Sequence, residues 1–198
     1  MTAAGTFVAV VGPSGAGKDT LIDAALAHRP DIRGARRSIT RPLAPGTEAF
    51  DSISDAGFDA AVADGAFVLH WEAHGLRYGI PSAAQDTLRG GAHVLANLSR
   101  GAVDTARARF DPMRVIVVTA TSEVLAQRLA ERGREKAEQI KARLERAAYP
   151  APTGADVVHI DNSGALCDGV HAFLRALPAP TGPSITVKGV SRSADIVE

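Results

Sequence analysis

Covalent cross-links and soft-metal sites are nearly absent from what this chain can build. Its 198 residues include a single cysteine, Cys167. That excludes an internal disulfide framework and a cysteine-rich zinc centre, and a lone thiol of this kind reads as a small buried side chain. Aromatic residues are few, with one tryptophan. An excess of charge of one sign is also missing, because 22 Lys and Arg balance 22 Asp and Glu. The usual basic footprint of a nucleic-acid or acidic-membrane binder is therefore lacking, and neither partner is expected. No apolar run approaches the ~20 residues of a membrane span. The apolar stretch at residues 7–11 is too short for a signal peptide and has no basic segment before it. These absences lead to the expectation of a soluble, reduced, cytoplasmic protein. What is present is a 45% hydrophobic fraction, enough for a sizeable core. The length suits one compact α/β or mixed domain with room for an insertion.

The pattern along the chain alternates strand and helix signals. Phe7-Val8-Ala9-Val10-Val11 is a short β-branched run that stops at Gly12-Pro13-Ser14-Gly15, as a buried strand meeting a glycine-rich turn does. Beyond Lys18, the spacing of Leu21, Ala24, Ala25 and His28 predicts a helix ended by Pro30. A second strand is expected within residues 35–40, followed by a Pro/Gly loop. Ser54 suits an N-cap and Gly65 a C′ residue for a short helix through Phe58 and Val62. Residues 67–71 and 76–80 read as a hairpin turning at Gly75. Strands are expected at residues 94–98, 115–118 and 157–160, with a helix over residues 100–109. Ser122 is the expected cap of a long, charged helix through Leu125, Leu129, Ile140 and Leu144, interrupted near Gly133. A closing helix carries Val170, Phe173, Leu174 and Leu177. Such alternation implies a mostly parallel sheet flanked by helices. Residues 36–81 form an insertion with a small sheet of its own, and residues 181–198 form a C-terminal extension of unassigned role.

Gly12-Pro13-Ser14-Gly15-Ala16-Gly17-Lys18 fits G-x-x-x-x-G-K between a predicted strand and a predicted helix. Glycines at these positions let successive backbone N–H groups turn inward around a phosphate, and the helix N-terminus adds partial positive charge. Lys18 is placed to bridge the outer phosphates of a nucleoside triphosphate. Ser or Thr normally follows this lysine and contacts Mg²⁺; here Asp19 and Thr20 follow. The carboxylate of Asp19 suits Mg²⁺ directly or through water, but an Asp in the first helical turn is also favoured by the helix dipole. Thr20 offers a hydroxyl to a phosphate.

Several blocks, in order, resemble guanylate kinases over about residues 5–178. They are the loop itself, Ile39-Thr40-Arg41-Pro42 with Gly46-Thr47-Glu48, Tyr78-Gly79-Ile80-Pro81, and the arginine-bearing stretch Arg128-Leu129 through Arg132-Gly133 to Arg143-Leu144. The resemblance implies a P-loop nucleoside-monophosphate-kinase-like α/β fold, an acceptor-binding insertion at 36–81 and a helical lid at 128–146. The base-reading acids of guanylate kinases are replaced, with His70 before Trp71 and Leu95-Ala96-Asn97-Leu98-Ser99-Arg100-Gly101 in place of an acidic stretch. Guanine presents N–H groups that need acceptors, and carboxylates supply them best. This altered set, together with Lys18-Asp19 and the His74-Gly75-Leu76-Arg77-Tyr78-Gly79 block, resembles the ribose 1,5-bisphosphate phosphokinase branch.

That resemblance implies transfer of the γ-phosphoryl group of ATP, with Mg²⁺, to a small sugar phosphate, giving 5-phosphoribosyl 1-diphosphate and ADP. Lys18, Arg128, Arg132 and Arg143 would carry the catalytic charge stabilisation. Gly12 through Thr20 and Asn162 would hold ATP. Arg41, Glu48, Arg77, Tyr78, Asn97, Ser99 and Arg100 would bind the acceptor. Other readings stand beside these. The lid arginines also suit surface pairs with nearby Glu, Asn162 a loop turn and Trp71 simple packing. A nucleoside-monophosphate kinase with a relaxed pocket, or a non-catalytic interaction domain, would share the block order. The oligomeric state is left open.

Overall fold

A computed structural model of the protein describes residues 4–43, 49–131 and 150–181. Five parallel strands form the main sheet: β1 (Phe7–Val11), β2 (Ile32–Gly34), β7 (His93–Asn97), β8 (Met113–Thr119) and β9 (Val157–Asp161). Their order across the sheet is β2-β7-β1-β8-β9. Every residue of β1 is buried, so the strand needs apolar side chains on both faces, as Phe-Val-Ala-Val-Val supplies. Alternation splits them between two cores. Phe7, Ala9 and Val11 join Val94, Ala96, Val115 and Val117 on one face. Val8 and Val10 join Ile116 and Val118 on the other, covered by α1 (Lys18–His28) through Leu21 and Ala25. The closing helix α6 (Leu166–Ala176) adds Phe173 to the same face.

A second sheet has the order β4-β3-β6-β5. It consists of β3 (Ser38–Ile39), β4 (Asp51–Ser52), β5 (Phe67–Ala73) and β6 (Leu76–Pro81). The β5–β6 hairpin turns through His74 and Gly75, both with positive φ, the backbone a two-residue hairpin loop requires. Helix α2 (Asp55–Ala63) begins where the Ser54 hydroxyl accepts the Gly57 N–H, and Gly65 follows its end with φ 67°. Val68, Leu69 and Ile80 of the small sheet are buried in the first core, so the two sheets are packed as one body.

The structure departs from the sequence expectations at several points. The strand expected within residues 35–40 is reduced to Ser38–Ile39, and the edge strand of the main sheet is Ile32–Gly34. Helix α3 (Ala83–Arg89) was not apparent from the pattern. Residues 100–109 are a 3₁₀ turn (Arg100–Ala102) followed by α4 (Val103–Arg107). Ser122 is the first residue of α5 (Ser122–Glu131), and the cap is Thr121, whose carbonyl and hydroxyl accept the Leu125 and Val124 N–H groups. Cys167 is exposed, because it falls on the outer face of α6. The second half of the expected long charged helix, Glu48 and residues 182–198 lie outside the described residues.

At the N-terminal edge of the main sheet a polar clamp holds the segment after α6. Arg29 forms a two-pronged pair with Asp31 at 2.8 and 2.7 Å and also donates to the Pro178 carbonyl. Asp31 accepts the Thr181 N–H. Buried His93 accepts the Thr6 N–H at Nδ1 and, with its proton on Nε2, donates to the Ala179 carbonyl. The Arg29 guanidinium holds the Asp31 carboxyl down at about 2. A carboxyl depressed in the folded state contributes stability above its unfolded pKa and loses it as pH falls through the folded one. Asp31→Asn is accordingly expected to lower unfolding free energy at pH 7 by about 1–3 kcal/mol. The gap from wild type should shrink as pH falls from 3.8 towards about 2, as urea denaturation across that range will show.

Candidate active site

The phosphate loop leaves the C-terminal end of β1. Gly12, Gly15 and Gly17 have φ of 147°, 88° and 86°, a region that side chains with a Cβ enter at a cost. Space is as restrictive as conformation. A Cβ on Gly12 would collide with the Val118 carbonyl, and one on Gly17 would lie 2.5 Å from Asn162 Nδ2. The loop is therefore a backbone cradle of the kind that encloses a phosphate. Lys18 Nζ donates to the Gly12 and Pro13 carbonyls at 3.0 and 2.9 Å, which keeps the ammonium at the mouth of the loop.

Buried Asn162, just beyond β9, braces the loop from behind. Its Nδ2 donates to the Ala16 carbonyl at 2.8 Å, and its backbone N–H reaches Thr119. A Cβ on Gly169 of α6 would collide with its Oδ1. A cavity of about 370 Å³ opens beside the loop, lined by Gly15, Gly17, Thr20, Arg128, Glu131 and Asn162. Arg128 reaches it from the last turn of α5, where buried Leu125 and Leu129 fix the helix, and its guanidinium lies 3.5 Å from the Gly15 carbonyl. Arg132 and Arg143 are outside the described residues.

Asp19, in the first turn of α1, accepts a hydrogen bond from Asn97 Nδ2 at 2.9 Å. Asn97 ends β7, and its carbonyl accepts from Arg37 at 2.9 Å. The Arg37 guanidinium in turn lies 5.6 Å from the centre of the Tyr78 ring. Tyr78 stacks on Trp71, with ring centres 5.2 Å apart and planes 8° apart. The Trp71 indole donates to Ser99 Oγ at 2.9 Å. Asp19, Asn97, Arg37, Tyr78, Trp71 and Ser99 thus form one connected line from the phosphate loop across to the small sheet. Arg41 stands at the rim of that sheet, its guanidinium 4.4 Å from the Phe50 ring centre.

Two of the expected acceptor residues are placed elsewhere. Arg77 neighbours Tyr78 in β6 and so points to the opposite face of the small sheet. There it pairs with Asp59 at 2.7 Å and lies over Phe58 at 4.3 Å. His70 is on that same face, edge-on to Phe58. Arg100 opens the 3₁₀ turn and borders a separate cavity of about 390 Å³ with Arg107 and residues 150–153. Arg107 is held there by Asp156 and Asp104, and the Asp156 carboxyl is lowered by this guanidinium. Arg37 was not singled out in the sequence. The signal was its spacing two residues before Ile39, which puts both on the face that meets Tyr78.

A glycine cradle at the end of the central strand of a parallel sheet, facing a second, smaller sheet, defines a P-loop nucleotide-binding protein. Comparison with known proteins narrows the class. A family model described as guanylate kinase matches residues 4–163. The ribose 1,5-bisphosphate phosphokinase PhnN of Brucella melitensis is 51% identical over 179 residues, covering 89% of this chain and 93% of that protein. A bifunctional ribose 1,5-bisphosphokinase-thymidine phosphorylase of Cupriavidus necator is 41% identical over 98% of this chain but only 32% of its own length. The crystal structure of guanylate kinase from Anaplasma phagocytophilum superposes with a TM-score of 0.54 at 17% identity, covering 80% of this chain and 78% of that one. The chain belongs to the guanylate kinase family and, within it, to the ribose 1,5-bisphosphate phosphokinases.

Trp71 is the only tryptophan, so its emission reports the cleft directly. Ser99→Ala removes the acceptor of the indole N–H and is expected to shift the emission maximum with a stability loss of about 1 kcal/mol. Asn162→Ala, on the far side of the loop, should leave the emission in place while costing about 1–3 kcal/mol. Fluorescence-monitored urea unfolding measures both quantities in one experiment.

Proposed function

We propose that the protein transfers the γ-phosphoryl group of ATP to the 1-phosphate of ribose 1,5-bisphosphate, giving ADP and 5-phosphoribosyl 1-diphosphate. The observation that carries this reading is the line from Asp19 through Asn97 and Arg37 to Tyr78, which joins an intact phosphate loop to a cleft furnished with amide, guanidinium, phenol and hydroxyl groups. The names of the curated relatives support it. A base-reading pocket would instead need acceptors for guanine N–H groups.

The chemistry is a meeting of two anions. The acceptor is a phosphate oxygen whose second ionisation, by analogy with phosphate esters, lies near ~6, so at neutral pH it is already a nucleophile and needs no general base. The protein must position the two partners and stabilise the spreading charge. Loop N–H groups and Lys18 hold the donor phosphates, Lys18 exchanging its loop carbonyls for phosphate oxygens. The cradle fits such a group, since a Cβ at Gly12 or Gly17 would strike the Val118 carbonyl or Asn162 Nδ2 that wall it. Among the described residues no three His, Cys, Asp or Glu side chains are grouped to hold a metal alone. Asp19 would hold a Mg²⁺ ion directly or through water. When bound, it screens the charge between donor and acceptor. Tyr78, Asn97, Ser99 and Arg41 face the acceptor, Glu48 is assigned to the same set, and Arg128, Arg132 and Arg143 close over the transferred group as a lid spanning 128–146. Residues 36–81 serve as the acceptor-binding insertion.

Phosphorus NMR of the protein with Mg-ATP and either ribose 1,5-bisphosphate or GMP tests this reading. New diphosphate resonances are expected from the sugar alone. Product from GMP alone would overturn the assignment in favour of a nucleoside-monophosphate kinase. Lys18→Ala is expected to lower kcat by about 100-fold or more while leaving the fold intact by circular dichroism.

A further inference from the structure

The Ser99 hydroxyl is turned away from its ordinary partner. Ser99 follows β7 and opens the 3₁₀ turn Arg100–Ala102, where its carbonyl accepts the Ala102 N–H. A serine at the start of a helical turn usually directs its hydroxyl oxygen to a backbone N–H of that turn. Here the side chain makes no such cap. Its Oγ accepts instead from the Trp71 indole of the small sheet, at 2.9 Å. We infer that Trp71 is a positioning residue for the phosphoryl acceptor: its indole N–H turns the Ser99 hydroxyl so that the proton is presented to a phosphate oxygen of that acceptor. The inference rests on the function proposed above and adds a residue that acts on the substrate only through another.

The direction of one proton is at issue. A serine oxygen carries one proton and two lone pairs, whereas an indole nitrogen is a donor only. The sense of the Trp71–Ser99 bond is therefore fixed. With the indole N–H on one lone pair, the Ser99 proton cannot lie in that direction and turns away from Trp71. Accepting a hydrogen bond also polarises the O–H and makes it a stronger donor. An ionised phosphate offers acceptors only, and takes such a proton in a charge-assisted bond. The indole is itself held in place. Trp71 lies opposite Tyr78 in the β5–β6 register, and the two rings stack at 5.2 Å. Its ring also packs against both the first core and the cluster of Ile39, Phe50 and Tyr78. Packing accounts for the ring but not for a nitrogen aimed at a hydroxyl that a cap would otherwise use. Ser99 stands two residues beyond Asn97, whose amide reaches Asp19 beside the loop. The strand end that meets the donor side thus also carries the oriented hydroxyl.

The test is a double-mutant cycle on the KM for ribose 1,5-bisphosphate at saturating Mg-ATP. Ser99→Ala removes the donor and is expected to raise that KM about 10-fold, the loss of a hydrogen bond to a charged group. Trp71→Phe keeps an aromatic ring but no N–H, and should raise it about 3- to 5-fold, since the hydroxyl remains but is no longer turned. The double variant should match Ser99→Ala within about twofold, because Trp71 acts only through that hydroxyl. The KM for ATP should stay within about twofold throughout. Losses that multiply in the double variant, an unchanged KM in Trp71→Phe, or a rise in the KM for ATP equal to that for the sugar would overturn the inference and leave Trp71 a packing residue. The chain has one tryptophan, so biosynthetic replacement of tryptophan by benzothienylalanine, whose ring sulfur takes the place of the N–H, removes the donor and keeps the bicyclic shape. That form carries the comparison if Trp71→Phe melts early. No turnover of the bisphosphate by wild type would overturn the proposed function itself, which multiplied losses in an active enzyme would not.

Discussion

A backbone loop with three left-handed residues cannot hold its own shape, and much of this molecule can be understood as what holds it. Gly12, Gly15 and Gly17 gain the conformations they need only by surrendering the side chains that would otherwise pack. Rigidity must then come from the walls. Val118 of β8 presents its carbonyl where a Cβ of Gly12 would stand, and Asn162 does the same for Gly17 with its amide. Asn162 can do so only because β9 delivers it and Gly169 of α6 leaves room for it. Two strands and the closing helix are thus set by the need to back a loop that lies far from them in sequence. The all-apolar strands of the sheet supply the stiffness, being packed on both faces.

The same constraint passes from the loop to the small sheet through the end of β7. Asn97 joins Asp19 by its side chain and Arg37 by its carbonyl, and Ser99, two residues on, takes the Trp71 indole. A short stretch of backbone therefore ties the phosphate loop to the small sheet at two points. Phosphoryl transfer depends on positioning two anions to within a fraction of an ångström. A single strand end that fixes both sites does this with fewer moving parts than two independent anchors. Asn97 and Ser99, read from the sequence as acceptor ligands, thus also hold the frame of the cleft.

What could be read from the sequence divides along the range of the interactions involved. The run of residues 7–11, the glycine spacing and the helix after Lys18 are local patterns; the structure reproduces the strand to the residue and runs the helix from Lys18 to His28. The Ser54 cap, the Gly65 exit and the hairpin at Gly75 are local as well. The faces of the small sheet were another matter. Period-two alternation says that Arg77 and Tyr78 oppose one another, but not which of them meets the cleft. Asp59 and Phe58 of α2 decide this by capturing Arg77. Arg37 was concealed for the same reason: its importance lies in Asn97 and Tyr78, both distant in sequence, and in a strand shorter than the pattern suggested. The edge strand at Ile32–Gly34 carries only one buried residue and left almost no apolar signal.

Asp19 shows how a departure from a motif can be tolerated electrostatically. A carboxylate in place of a hydroxyl beside bound phosphates brings negative charge where negative charge is already concentrated. The first turn of α1 offsets part of that, since the helix N-terminus favours an anion. The partner chosen for it matters more. An arginine or lysine would have fixed the carboxylate and cancelled its charge at once. The Asn97 amide fixes one oxygen by a neutral N–H donor and leaves the charge in place. An oriented carboxylate of this kind suits the magnesium-side role proposed for Asp19.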